Sequence, residues 1–277
     1  MKRFYSLLGR FKKILMVGVA LVLLSSANAF AATYFIYDDW GGTWTDVDKS
    51  GADDSSLCWA AASSNVLNYT GWGAVAGSSA ADLFSYFNNA FSNGGSLENY
   101  AYEWWFSGTY VPQGESDWAQ VEDPSAGAFY TDLDVDDYMR VEAAGADGFS
   151  NALSLIDAWM EEGYGVSLGI FNADIGGHSI TAWGFEYDEL GNYTGIYVTD
   201  SDDNGWDYYG LQHYALSLVE GLWYLDGNGG YYSGDADFIS DVVGLKIMTS
   251  AVPVPSSLLL TFCGLLFCAG AGMRRRI

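Results

Sequence analysis

The stretch HSITAWGFEYDELGNYTGIYVTDSDDN, residues 178–204, decides how the rest of the chain is read. Two runs rich in β-branched and aromatic residues, 178–187 and 193–199, flank Asp188-Glu189-Leu190-Gly191-Asn192, whose composition is that of a turn. Together they predict a hairpin centred near residue 190, with His178 and Asp200 roughly opposite each other at its open end. A carboxylate beside a histidine fixes its tautomer and orients its ring. Asp202 lies two residues further on, so the strand period gives it a share of the same face.

Upstream of the hairpin, residues 165–171 read as a strand and 150–162 as an amphipathic helix stopped by Gly163. Further back, 94–148 is rich in Trp, Tyr, Gly and Asp without a clean period, which suggests loops and short elements. Residues 80–91 and 57–69 carry helical spacing, 48–56 is a loop, and 32–47 is extended with a Gly41-Gly42 turn. Downstream, 213–218 is expected to be helical and 242–248 to be the last strand. Helices first and an antiparallel sheet afterwards make an α+β domain, and no internal repeat is present.

The chemistry begins at Cys58, in the first turn of the helix that opens at Leu57, with Asp53, Asp54, Ser55 and Ser56 as capping residues before it. A thiol there feels unpaired N–H groups and the positive end of the helix dipole, and both favour the reactive thiolate. A helix-initial Cys followed by Trp59 is the nucleophile arrangement of papain-like enzymes, though Cys58 also fits a small buried hydrophobe. The thiolate needs a base that can later protonate a leaving amine. His178 and His213 are the two histidines of the chain. His178 has the hairpin carboxylate, whereas His213 sits in a Gln-His-Tyr segment with no carboxylate at strand-pairing distance, so the base is assigned to His178. Lys49 reads equally as an oxyanion partner and as a solvated loop lysine.

The ends of the chain look like addresses. Residues 1–13 are basic, Ile14 to Leu24 is apolar, and Ala-x-Ala occurs at 27–29 and 29–31, the pattern of a secretory signal peptide over residues 1–31. At the other end, Ser256 to Met273 carries no charge and is followed by Arg274, Arg275 and Arg276, which is long enough to enter a bilayer with the arginines on the cytoplasmic side. The segment 252–277 resembles a PEP-CTERM sorting signal, with Val-Pro-Val-Pro where that family has Val-Pro-Glu-Pro. The resemblance implies membrane association and an exosortase-type sorting partner. Between these ends, residues 32–250 hold three basic residues, Lys49, Arg140 and Lys246, against all 35 acidic ones. So acidic a surface excludes nucleic acid as a partner and repels anionic lipid headgroups. Cys263 and Cys268 lie in the tail, which leaves Cys58 the only thiol of the exported domain, with no disulfide to make.

Residues 178–204, together with DDSSLCWAAASSNVLNY (53–69) and WTDVDK (44–49), resemble the IdeS/Mac family of secreted, papain-like cysteine endopeptidases. The resemblance implies a papain-like domain over 32–250, with the nucleophile in a helical first half and His and Asp in an antiparallel second half. It implies Cys58 as nucleophile, His178 as base, Asp200 as orienting acid, Asp202 as supporting acid and Lys49 at the oxyanion. It implies hydrolysis of a protein substrate through a thioester acyl-enzyme, with no cofactor and no metal. Residues 70–170 match that family weakly. Two rival expectations stand beside it: another acyl-transfer enzyme of transglutaminase or amidase type, and a non-catalytic surface module. The run Asp200-Ser-Asp202-Asp-Asn204-Gly205 opens like an EF-hand loop, but Leu211 stands where a bidentate Glu is required.

Overall fold

The computed structural model describes residues 31–248 apart from 78, 113–117, 147, 173–175, 203–209 and 227–236. The signal-peptide segment up to residue 30, the tail 252–277, and the part of the EF-hand-like run from residue 203 lie outside the described residues. Among the described residues no helix is long and apolar enough to cross a membrane.

In chain order the elements are β1 (Ala32–Phe35), α1 (Ile36–Trp40), α2 (Cys58–Thr70), α3 (Ala80–Ala90), α4 (Glu98–Ser107), β2 (Met139–Ala143), α5 (Ala152–Glu161), β3 (Tyr164–Asn172), β4 (Gly176–Tyr187), β5 (Tyr193–Thr199), β6 (Gln212–Val219), β7 (Leu222–Asp226) and β8 (Asp237–Lys246). The strands run in the order β4-β3-β8-β7-β6-β5, and β5 pairs back onto β4. This closes a six-stranded antiparallel barrel, to which β1 adds on β4 and β2 on β8.

The barrel corrects the expected architecture. A papain-like division into a helical half and a sheet half is not what the chain builds, although helices do form near residues 57–69, 80–91 and 150–162. Two features close the ring. β4 is long and shifts register between Ala182 and Gly184, so it pairs with β3 along its first half and with β5 along its second. The second feature is the course of the chain after the hairpin. Residues 213–218, expected to be helical, lie in strand β6, and β7 follows it. These two strands carry the ladder round to β8 through Tyr224↔Phe238 and Leu225↔Asp237. Their alternation is weak because much of each strand is only half-buried, so periodicity had little to report. Helix α4 was likewise missed within 94–148, because apolar residues surround much of its circumference instead of forming a stripe.

Helix α2 is buried on nearly every side, which suits its run of Ala and Ser. Trp59 meets Phe87 and Phe91 edge-on, and its indole N–H donates to the Gly94 carbonyl at 2.9 Å. The barrel face beneath α2 is lined by small residues. A Cβ at Gly165 would come within 3.0 Å of Thr70 and 3.3 Å of Val66, so the helix lies close against the strand. The opposite face of β3 and β4 (Val166, Leu168, Ile170, Ile180, Ala182) packs with α5 into a second apolar cluster.

Thr199, at the end of β5, ties these layers together. Its hydroxyl donates to the Thr45 carbonyl at 3.0 Å, and accepts from the Trp183 indole at 2.9 Å and from the Asn65 amide of α2 at 3.5 Å. Thr199→Val keeps the shape and strands these buried partners, so we expect a loss of about 2 kcal/mol of stability. Urea unfolding checks this, and an unchanged midpoint would remove Thr199 from that role.

Candidate active site

The start of α2 and the end of the β4–β5 hairpin meet at a cleft of about 750 Å³ that Cys58, His178, Lys49 and Asp202 all line. The His178 Nε2–H donates to Asp200 Oδ1 at 2.7 Å, and Nδ1 lies 3.7 Å from Asp202 Oδ2. The hydrogen bond between the His178 ring and the Cys58 thiol therefore falls to the Nδ1 side, since Asp200 occupies the other nitrogen. Asp200 Oδ1 also accepts the Asp202 N–H at 2.9 Å, which sets the turn that brings Asp202 back toward the ring. The two acids thus take different roles: Asp200 is buried and holds the imidazole, while Asp202 is half-buried and faces a cation.

That cation is Lys49. Its side chain is only 7% exposed, and Nζ binds Asp202 Oδ1 at 2.7 Å and donates to the Ser55 carbonyl at 2.7 Å. Its backbone N–H donates to the Ser201 carbonyl at 2.9 Å, which joins the loop before α2 to the segment after β5. Lys49 is therefore no solvated loop residue: it clamps the loop before α2 to the turn after β5. The four residues expected to cap α2 behave differently. The residue before Cys58 in the helix is Leu57, which has no side-chain cap. Asp54 instead organises the loop upstream, accepting from Ser50 N–H (2.7 Å), Ser50 Oγ–H (2.8 Å) and Gly51 N–H (2.9 Å). Against the effect of burial, these bonds hold its carboxyl below the usual range.

The electrostatics favour an ion pair. Burial alone would push the Cys58 thiol up, but His178, then Lys49 and the Ser179 backbone, bring it below its ordinary value. Burial would push His178 down, but Asp200 and Cys58 raise it well above its ordinary value. The thiolate is therefore present above the lowered Cys58 pKa and the imidazolium below the raised His178 pKa, so the pair persists between them. Alkylation of Cys58 by iodoacetamide should accordingly stay fast at pH values where a free thiol, with pKa about 8.5, has gone quiet. In Asp200→Asn the acid limb of that profile should move up toward the free-thiol range. Mass-spectrometric rates across pH test this, and a wild-type limb already in the free-thiol range would overturn the ion pair.

His213 does not reach the cleft. It lies on β6 with its ring 4.8 Å from Tyr197, and its Nε2 is 3.2 Å from Glu186 Oε2. Its strand partner on β5 is Tyr197, not a carboxylate, yet Glu186 reaches it from β4, beyond the intervening strand. His178, Asp200 and Asp202 also place ligand atoms within 4.8 Å of one another. A cation there would have to displace Lys49 from Asp202 and break the His178–Asp200 bond, so these residues fit an ion-pair relay better than a metal centre.

Two site residues escaped the sequence. Glu98, at the start of α4, is fully buried, and Asp241 of β8 lines the same cleft as Cys58. Burial first, and then Asp241, push Glu98 up to about 8. The signal for Asp241 was a single acid amid the apolar residues of FISDVVGLK; Glu98 had none, because its segment read as loop.

A family model described as Mac 1 matches residues 121–228. The match takes in His178, Asp200 and Asp202, covers less than half of the chain, and leaves Lys49 and Cys58 outside. It does not carry the attribution to the IdeS/Mac family of papain-like endopeptidases, which is set aside. The supported likeness is to the Mac 1 model over that segment. No curated protein matches the chain.

Proposed function

We propose that the chain is a cysteine hydrolase that cuts peptide bonds in a protein substrate through a thioester acyl-enzyme. The observation that supports it best is one hydrogen-bonded series, Cys58 to His178 to Asp200, at the wall of an open cleft, with the buried ammonium of Lys49 beside the thiol. In the reaction the Cys58 thiolate attacks the scissile carbonyl and forms the C–S bond. The negative charge passes to the carbonyl oxygen, near the first N–H groups of α2, which have no partner within the helix. Lys49 adds positive charge to the same region. As the C–N bond breaks, His178 gives its proton to the departing amine. A water then loses a proton to His178 and attacks the thioester, which releases the acid and restores the thiolate. Asp200 holds the ring in register throughout, and Asp202 positions Lys49.

The proposal extends to location and partners. The enzyme is exported through its N-terminal segment and held at the membrane, at least transiently, by the hydrophobic tail, where exosortase-type sorting machinery acts on it. Its substrate is then a neighbouring surface or secreted protein. Purified protein incubated with a secreted proteome, with and without a thiol-blocking reagent, tests the reaction. New peptide termini that disappear on blocking support it. Transfer of the acyl group to added amines without new termini would point to a transglutaminase-type enzyme instead.

A further inference from the structure

Asp241 stands opposite Gly169 in the β3–β8 ladder, immediately before a register shift. Its carboxylate folds over the glycine, so that a Cβ at Gly169 would collide with Asp241 Oδ2. Only glycine leaves room for the acid to lie there. Ser240 Oγ–H donates to the same oxygen at 2.8 Å. Behind this wall Glu98 is 0% exposed, and the groups that favour its charged form are the Ser179 hydroxyl and its own backbone N–H, which do not outweigh burial. Asp241 and Cys58, which both line the cleft, are among the groups that act on the Glu98 carboxylate. Among the described residues no ion pair joins Glu98 or Asp241 to a basic side chain. Lys49 is taken by Asp202 and Ser55, Arg140 by Glu162, and Lys246 lies over Tyr164.

We propose that Asp241, backed by Glu98, forms a subsite for a cationic side chain, so that the enzyme prefers a lysine or arginine in the two residues before the scissile bond. This rests on the reading of Cys58 as nucleophile. A buried carboxylate and a half-buried one beside a thiolate cannot all carry charge without compensation. In the free protein the compensation is a retained proton, consistent with Glu98 and Asp241 both being raised by burial. A substrate ammonium or guanidinium at Asp241 supplies it instead, and an anionic side chain is repelled.

The test uses the full exported chain and peptidyl chloromethyl ketones that carry lysine, norleucine or glutamate at either of those two positions. The rate of Cys58 modification is read by intact mass. The lysine probe should react at least about tenfold faster than the norleucine probe, with glutamate slowest. Asp241→Asn and Glu98→Gln should each draw the lysine-to-norleucine ratio toward one, with circular dichroism to establish that the variants fold. On the wild type, butylammonium should slow labelling by the norleucine probe, and butanol should not. Equal rates for lysine and norleucine, or no protection by butylammonium, would overturn the subsite while leaving Cys58 the nucleophile. No labelling by any probe would remove the nucleophile and the subsite with it.

Discussion

Cys58→Ala is expected to reduce turnover to background, a loss on the order of 10⁵–10⁶-fold, because every covalent step of the proposed reaction passes through that sulfur. The fold should survive. The residue is half-buried at the rim of the cleft, and its replacement leaves Trp59 and the rest of the apolar contacts of α2 in place. Steady-state hydrolysis of a cleaved substrate, with near-UV circular dichroism as a fold control, gives the answer. A folded Ala variant that still turned over would place the chemistry elsewhere. Cys58→Ser separates the roles further. Its hydroxyl keeps the position but does not ionise near neutrality, so activity should remain lost even with His178 in place.

His178→Ala should lose almost as much, because in the proposed reaction the same ring pairs with the thiolate and protonates the leaving amine. His213→Ala should leave turnover unchanged, since that ring lies against Tyr197 and Glu186 and does not line the cleft. Asp200→Asn tests how the ring is held. An amide can present the wrong hydrogen-bonding group to Nε2, and a loss of about 10⁴-fold is expected. The iodoacetamide profile separates the two effects: His178→Ala should return Cys58 to ordinary thiol behaviour, whereas His213→Ala should not move it. A dead His213 variant beside an active His178 variant would break the assignment.

The residues that meet in the cleft were legible because their signals are local. His178 precedes an alternating strand, Asp200 and Asp202 follow its partner, and Asp188 to Asn192 closes the turn, with the Asp188 N–H donating to the Asn192 carbonyl at 2.9 Å. Cys58 opens a helix whose Ala-rich stretch is plain in the sequence. Lys49 was legible only as a candidate, because both of its partners depend on a loop folding back. Ser55 is six residues away along the chain, and Asp202 comes from the far side of the barrel hairpin.

By itself, then, the sequence determined the helices near Cys58 and Ala80, the hairpin, and the identity of the thiol, imidazole and carboxylates. Each depends on propensity and period within a dozen residues. Tertiary structure alone decided that the sheet closes. Closure depends on one strand, β4, having partners on both edges, and on half-buried strands β6 and β7 finding their neighbours. The pairing that completes the ring, β3 with β8, joins residues as far apart in the chain as Tyr164 and Lys246, so neither strand records it. The same holds for the acid pair. The β3–β8 ladder brings Asp241 to the Gly169 side of the cleft, and Glu98 is buried near enough to feel its charge, a proximity that neither local segment records.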